Sequence, residues 1–208
     1  MKKLLITIFI TTFFISSNAF SQTQKIGRLG NGYKGAKWGM SPQKVKDVLQ
    51  NLTLKNEDKS SGGDTYLTFT VGDSKELTCW FYQNKLYYVQ FEPISEDGDD
   101  KGVQAVLIAL NKKYGTGKNL TGYVGGLLRV PLFLVVWDDG ISEIKLRMWD
   151  PKEVFAKLGY GTYPSSTLKI LYTSKKIKSL KERTEKEEKL RKEKEERNKK
   201  LKNIEGDI

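Results

Sequence analysis

Leu77-Thr78-Cys79-Trp80-Phe81-Tyr82-Gln83-Asn84-Lys85-Leu86-Tyr87-Tyr88-Val89-Gln90-Phe91 is the stretch that decides the fold. Two runs rich in aromatic and branched residues flank a short polar segment, the pattern of a β-hairpin. Strands are expected over 77–82 and 86–91, joined by Gln83-Asn84-Lys85. A three-residue loop sets odd positions opposite odd positions. One face is then Leu77, Cys79, Phe81, Tyr87, Val89 and Phe91, and the other is Thr78, Trp80, Tyr82, Leu86, Tyr88 and Gln90. A two-residue loop would bring Gln90 onto the apolar face, so the three-residue register is expected.

The same pattern recurs downstream. Strands are expected over 132–137 and 141–149 around Asp138-Asp139-Gly140, read as a three-residue loop with glycine in the left-handed position. That register gives an apolar face of Leu132, Leu134, Val136, Ile144, Leu146 and Met148. Phe133, Val135, Trp137, Glu143, Lys145, Arg147 and Trp149 fall on the other. Further strands are expected over 65–71 and 167–173. A helix precedes each set. Ser41-Pro42 supplies an N-cap and a first-turn proline, followed by Val45, Val48, Leu49 and Leu52 at helical spacing. Asp99 or Asp100 opens the second, with Val103, Val106, Leu107, Leu110 and Tyr114 as its apolar stripe and Gly115 as its stop. The segment 115–126 reads as a Gly-rich loop. The expected fold is α+β: an antiparallel sheet of about six strands in two degenerate α-β-β-β halves, over 33–95 and 96–174, with the helices on one face.

Both ends carry information. Met1-Lys2-Lys3 is followed by an uncharged run from Leu4 to Ile15 and by small residues ending at Ala19-Phe20-Ser21. This is a signal-peptide pattern over 1–21, with cleavage expected before Gln22 and Ala19 as the second position. Residues 22–32 read as a flexible leader. The protein is expected to be periplasmic or secreted, without a lipidation cysteine and without a membrane-spanning segment in the mature chain. The Lys- and Asn-rich composition looks bacterial, so the sequons at Asn51 and Asn119 carry no weight.

The formal net charge is +11, and it is unevenly placed. Residues 22–174 hold 20 Lys/Arg and 16 Asp/Glu, and residues 175–208 hold 14 and 9. The tail mixes both signs. Every Glu from 182 to 196 has a Lys or Arg four residues later, which stabilises an isolated helix by about 0.2–0.5 kcal/mol per pair. A long solvated helix is expected over about 176–202, docked through Ile177 and Leu180 and then projecting. Nucleic acid is not an expected partner, because arms that bind it are usually of one sign.

The chain has no His and one Cys. Ser-His-Asp and Cys-His catalysis, His-ligated zinc and an internal disulfide are therefore excluded. Cys79 is expected to be a buried, inert thiol. Gly30-Asn31-Gly32-Tyr33-Lys34-Gly35 matches a dinucleotide fingerprint but lacks the strand before it and the helix after it. Gly115-Thr116-Gly117-Lys118 is half a P-loop. Glu96-Asp97-Gly98-Asp99-Asp100 lacks the spacing of a calcium loop and fits helix capping. Asp138 and Asp139 are as expected of a turn as of a catalytic pair. No cofactor, metal or catalytic residue is expected.

Candidate ligand-binding residues are the aromatics and cations of the mixed faces: Trp80, Tyr82, Tyr88, Trp137, Lys145 and Arg147. The alternative is that other parts of the fold cover the aromatics. Gly35-x-x-Trp38-Gly39-x-Ser41-x-x-x-Val45, Asn84-Lys85-Leu86-Tyr87 and Lys113-Tyr114-Gly115 together resemble a layout shared by exported bacterial proteins of unknown function, over about 33–173. The Gly39-Met40-Ser41 helix start is also similar to that of small outer-membrane assembly lipoproteins with a β-lactamase-inhibitor-protein-like fold. The resemblance implies fold and compartment and supplies no catalytic residues. The expected function is that of a monomeric, non-enzymatic envelope protein that binds a partner protein or ligand. The alternatives are a carboxylate-dependent glycan hydrolase and a binder of anionic envelope polymers through the tail.

Overall fold

The computed structural model describes residues 28–60, 63–72, 75–94, 100–124, 130–149 and 167–206. The signal-peptide stretch, most of the leader and the acidic stretch 96–99 lie outside these residues. Among the described residues there are three helices: α1 (Pro42–Val48), α2 (Asp100–Tyr114) and α3 (Lys175–Gly206). The strands are β1 (Gly32–Tyr33), β2 (Ala36–Lys37), β3 (Thr53–Lys59), β4 (Thr65–Val71), β5 (Lys75–Tyr82), β6 (Lys85–Ile94), β7 (Lys118–Asn119), β8 (Gly122–Val124), β9 (Val130–Asp138), β10 (Ser142–Trp149) and β11 (Thr167–Ser174). β1 and β2 form a small hairpin. The rest form one nine-stranded antiparallel sheet, ordered β3-β4-β5-β6-β11-β10-β9-β7, with β8 also on β9. The α+β class and the long carboxy-terminal helix are as expected. The sheet is larger than the six strands expected.

The five additional strands were invisible to hydrophobic patterning. β3 is exposed along its whole length and carries Lys55, Glu57, Asp58 and Lys59. It belongs to the sheet through its backbone ladder to β4, and its charged side chains add surface pairs, Lys55 with Glu76 and Glu57 with Lys46. Charged side chains on an edge strand discourage further pairing. β7 and β8 fall in the Gly-rich stretch read as a loop and lie on β9. β1 and β2 turn on Lys34 and Gly35, both at positive φ.

Both hairpin registers differ from expectation, for separate reasons. In the first, Tyr82 pairs with Lys85, so the turn has two residues. Gln83 and Asn84 both have positive φ (49° and 59°), the geometry that matches strand twist. The register then shifts between Trp80 and Phe81, so that Phe81 faces Leu86 while Trp80 faces Tyr88. This bulge at Tyr87 repairs the mismatch that a two-residue turn alone would create. Leu86 is therefore in the core and Tyr87 leaves the apolar row.

In the second hairpin, Glu143 pairs with Asp138 and Ile144 with Trp137, so four residues, 139–142, make the connection. The side chain of Asp139 closes it, with Oδ1 accepting the N–H groups of Ile141 (3.0 Å) and Ser142 (2.8 Å). One extra residue exchanges the faces of β9. Val135 and Trp137 point into the core with Ile144 and Leu146, and Leu132 and Leu134 lie on the opposite face. β9 is apolar on both faces, so the turn had to decide its register.

The core lies on one side of the sheet. Leu67, Phe69, Leu77, Cys79, Phe81, Val89, Leu146, Leu168 and Ile170 form a cluster with Val45 and Leu49 of α1 and Val103, Leu110 and Tyr114 of α2. Ser41 caps α1 as expected, accepting the N–H of Lys44. Gly39, at φ 85°, turns the chain so that its N–H meets Leu86 O while Leu86 N–H meets Met40 O, both at 2.9 Å. The Trp38-Gly39 opening and the Lys85-Leu86 stretch thus touch directly. Trp38 continues the tie, its indole N–H donating to Ser142 Oγ at 2.9 Å, and Ser142 Oγ donates to Gly30 O at 2.8 Å.

Candidate functional site

Polar and charged residues alternate with the core row, so they share the other face of the sheet. Across the central strands this face carries Trp80 (β5), Tyr88 (β6), Leu171 and Thr173 (β11), Glu143, Lys145 and Arg147 (β10), and Leu132 and Leu134 (β9). Together with Tyr87 and Lys178 they line a half-open groove of about 540 Å³. The floor is aromatic and aliphatic, and the charged groups stand along it.

Four of the six expected residues meet in this groove: Trp80, Tyr88, Lys145 and Arg147. Tyr82 and Trp137 do not line it. Tyr82 sits at the hairpin end, where its hydroxyl accepts from Gln83 Nε2 at 3.2 Å. Trp137 is fully buried on the core side, the consequence of the four-residue connection, and its indole N–H donates to Gly115 O at 2.7 Å. A Cβ on Gly117 would stand 2.6 Å from the Trp137 ring. Gly115-Thr116-Gly117, the half P-loop of the sequence, is thus a helix stop shaped around a tryptophan.

The groove residues that sequence reasoning missed are Leu132, Leu134, Tyr87, Leu171, Thr173, Glu143 and Lys178. A four-residue reading of the turn, Asp139-Gly140-Ile141-Ser142, would have found the leucines. Nothing local marks Lys178, which is brought in by α3.

The electrostatics of the groove are unbalanced. Glu143 is its one carboxylate among the described residues and is paired with Lys145 at 2.7 Å. Lys178 meets Glu182 of its own helix at 3.7 Å, a long and exposed contact. Arg147 makes no ion pair among the described residues and is exposed. Burial pushes the Tyr88 hydroxyl up to about 12; Tyr87 adds to this and Arg147 partly opposes it, so the phenol stays neutral. Trp80 stacks tilted on Tyr66 with centroids 5.0 Å apart. Its indole N–H is buried without a hydrogen-bond partner among the described residues.

A cluster at the edge of the groove fixes α3. Asp64, 5% exposed, accepts the Tyr87 hydroxyl at 2.9 Å and the Lys181 ammonium. Lys181 also reaches the Tyr87 oxygen at 3.2 Å and stands 5.2 Å from its ring centre. Burial alone would lower the Lys181 pKa, but the bonds to Asp64 and Tyr87 outweigh it and raise it. The bulge that turned Tyr87 outward supplies this anchor. Ile177 is half-buried and Leu180 is 42% exposed. From residue 185 to residue 200 every position of α3 is exposed. Its internal ion pairs run basic residue first, as in Lys181–Glu185 (3.5 Å) and Lys189–Glu193 (3.9 Å), the reverse of the expected order. Such exposed pairs contribute little.

The carboxylates of the second turn serve structure. Asp138 binds Lys175 Nζ and Gly140 N–H, both at 2.7 Å. Asp139 holds the turn and also accepts the N–H of Leu29 at 2.9 Å. Cys79 is fully buried, and burial raises its thiol to about 12. Among the described residues, no cluster of His, Cys, Asp or Glu suits a metal ion, and no helix is long and apolar enough to cross a membrane. Compared with models of protein families, with curated proteins and with solved structures, the chain matches none.

Proposed function

We propose that this chain is an exported binding protein that takes a partner segment or small ligand in the groove on the outer face of its sheet. The observation that carries the reading is the groove itself. Its floor of Trp80, Tyr88, Leu132, Leu134 and Leu171 is apolar, while Lys145, Arg147 and Lys178 outnumber its single, already paired carboxylate. That combination suits a ligand with an apolar body and an anionic end. The size, about 540 Å³, is that of a small-molecule or short-peptide site. Retaining and inverting glycan hydrolysis each need two facing carboxylates, and Glu143 alone gives the groove no such pair among the described residues. Export rests on the signal pattern of residues 1–21.

We also read the domain over 33–174 as two degenerate halves with the helices on one face. The sheet order supports this. Outward from the central β6–β11 pair, the strands run backward through each half, and a helix opens each half. Each half then holds at least four strands rather than three. The resemblance to exported proteins and assembly lipoproteins is part of the same proposal, supported by the contact between the Trp38-Gly39 and Lys85-Leu86 stretches.

The test is a titration of 15N-labelled protein with laurate, as an anionic acyl probe, and with an apolar peptide bearing a free carboxylate. The Trp80 indole N–H resonance is expected to shift saturably with at least one of them, and Arg147→Glu is expected to weaken that shift at least about 10-fold. No saturable shift with either probe, or an unchanged affinity in Arg147→Glu, would refute the reading.

A further inference from the structure

A second cleft lies beside the first turns of α3, between that helix and the amino-terminal segment, and it has a different character. Its volume is about 630 Å³. Its apolar wall includes Ile141, Ile177 and Leu180, and its cations are Lys85, Lys176 and Arg183. Ile141 is 54% exposed and Leu180 is 42% exposed, large apolar side chains held in water next to positive charge. Among the described residues, no Asp or Glu lines the cleft and none of the three cations makes an ion pair. The carboxylates within three residues of Ile141 are engaged, Asp138 by Lys175, Asp139 by three backbone N–H groups and Glu143 by Lys145.

The helix places this charge by its own sequence. Residues 175–181 hold Lys175, Lys176, Lys178 and Lys181 and no acidic residue. Glu enters only from 182, so the mixed-sign character belongs to the projecting part and the docked end is cationic. Lys176, Ile177, Leu180 and Arg183 recur at three- and four-residue spacing, which puts them on one face. Lys178 and Lys181 point elsewhere, one into the groove and the other to Asp64.

We propose that this cleft is a membrane-contact site, which seats the protein on a bilayer surface of anionic phospholipid. Long flexible cations around exposed aliphatic side chains match phosphate headgroups above an acyl layer. Charge complementarity selects the anionic surface, and the exposure of Ile141 and Leu180 favours an apolar layer that covers them. An acidic protein partner would leave those two side chains on the rim. The site is separate from the groove and does not depend on what the groove binds.

The experiment is vesicle co-sedimentation of the chain from Gln22 onward, with phosphatidylcholine alone and with equal parts phosphatidylglycerol. Binding is expected to the mixed vesicles and not to phosphatidylcholine. Lys176→Gln with Arg183→Gln should weaken it by roughly 5-fold per charge removed. Leu180→Ser should weaken it with the cations intact. A control removing equal charge from the projecting helix, Lys189→Gln with Lys192→Gln, should lose less than half as much. Arg147→Glu should leave vesicle binding unchanged, which separates this site from the groove. Absence of binding to the mixed vesicles, equal losses in the cleft and control variants, or tighter binding to a soluble Glu/Leu peptide than to the vesicles would each overturn the proposal.

Discussion

The carboxylate of Asp139 accepts the backbone N–H of Leu29, 110 residues earlier in the chain, at 2.9 Å. Its other oxygen closes the turn into β10. One side chain therefore sets the register of a hairpin and pins the amino-terminal segment, where Leu29 is buried. Burial would raise the Asp139 pKa, but its backbone hydrogen bonds prevail and lower it. A lowered acid contributes stability above its unfolded value, 3.8, and loses it as pH falls through the folded value. Asp139→Ala should cost about 2 kcal/mol at neutral pH. It should also flatten acid unfolding below pH 4 and speed amide exchange at Leu29 and Ser142 together, as read by denaturation at several pH values and by NMR.

The Lys181–Asp64–Tyr87 cluster should hold α3 to the body. Lys181→Met leaves Asp64 buried with the Tyr87 hydroxyl as its remaining side-chain partner, and should cost about 3 kcal/mol. The raised Lys181 and Tyr87 pKa values act in the same sense. Their contribution is full below the unfolded values of 10.5 and 10.0 and is lost as pH rises through the folded ones. Urea unfolding of wild type should therefore weaken above about pH 10, and Lys181→Met should show a shallower decline.

The faces of β9 make a direct test of register. Val135 is buried in the core and Leu134 lines the groove. Val135→Asp should destabilise by more than about 3 kcal/mol, whereas Leu134→Thr should cost less than about 1 kcal/mol. The three-residue reading of the turn reverses that order, so thermal melts of the two variants decide it.

Gly117 lies under the Trp137 ring, where a Cβ would collide at 2.6 Å. Gly117→Ala should destabilise by about 1–3 kcal/mol by overpacking. Pairing it with Trp137→Phe should recover part of the loss relative to the summed single variants, as measured in a double-mutant cycle.

Cys79, with its fully buried thiol pushed up to about 12, should resist a disulfide reagent in the folded protein. It should react fully in denaturant, and the rate in water should follow global unfolding. Fast reaction at neutral pH would show that the core opens locally at β5.

What the sequence by itself determined was whatever depends on local chemistry. Ser41-Pro42 specifies the start of α1, Gly115 stops α2, and the paired hairpins with alternating side chains specify an antiparallel sheet. The unbroken charged run specifies α3. Trp80, Tyr88, Lys145 and Arg147 could be placed in one site because strand alternation fixes their face once their neighbours are apolar. Tertiary structure decided the rest, because there the local signal is degenerate or absent. β3 has no apolar face to betray it and exists through its ladder to β4. β9 is apolar on both faces, so a four-residue connection held by Asp139 sent Val135 and Trp137 into the core and Leu132 and Leu134 to the groove. The bulge at Tyr87 corrected a two-residue turn and turned a tyrosine out to meet Lys181, 94 residues away. Periodicity reports which side chains share a face, but a one-residue difference in a turn reverses which face meets the core.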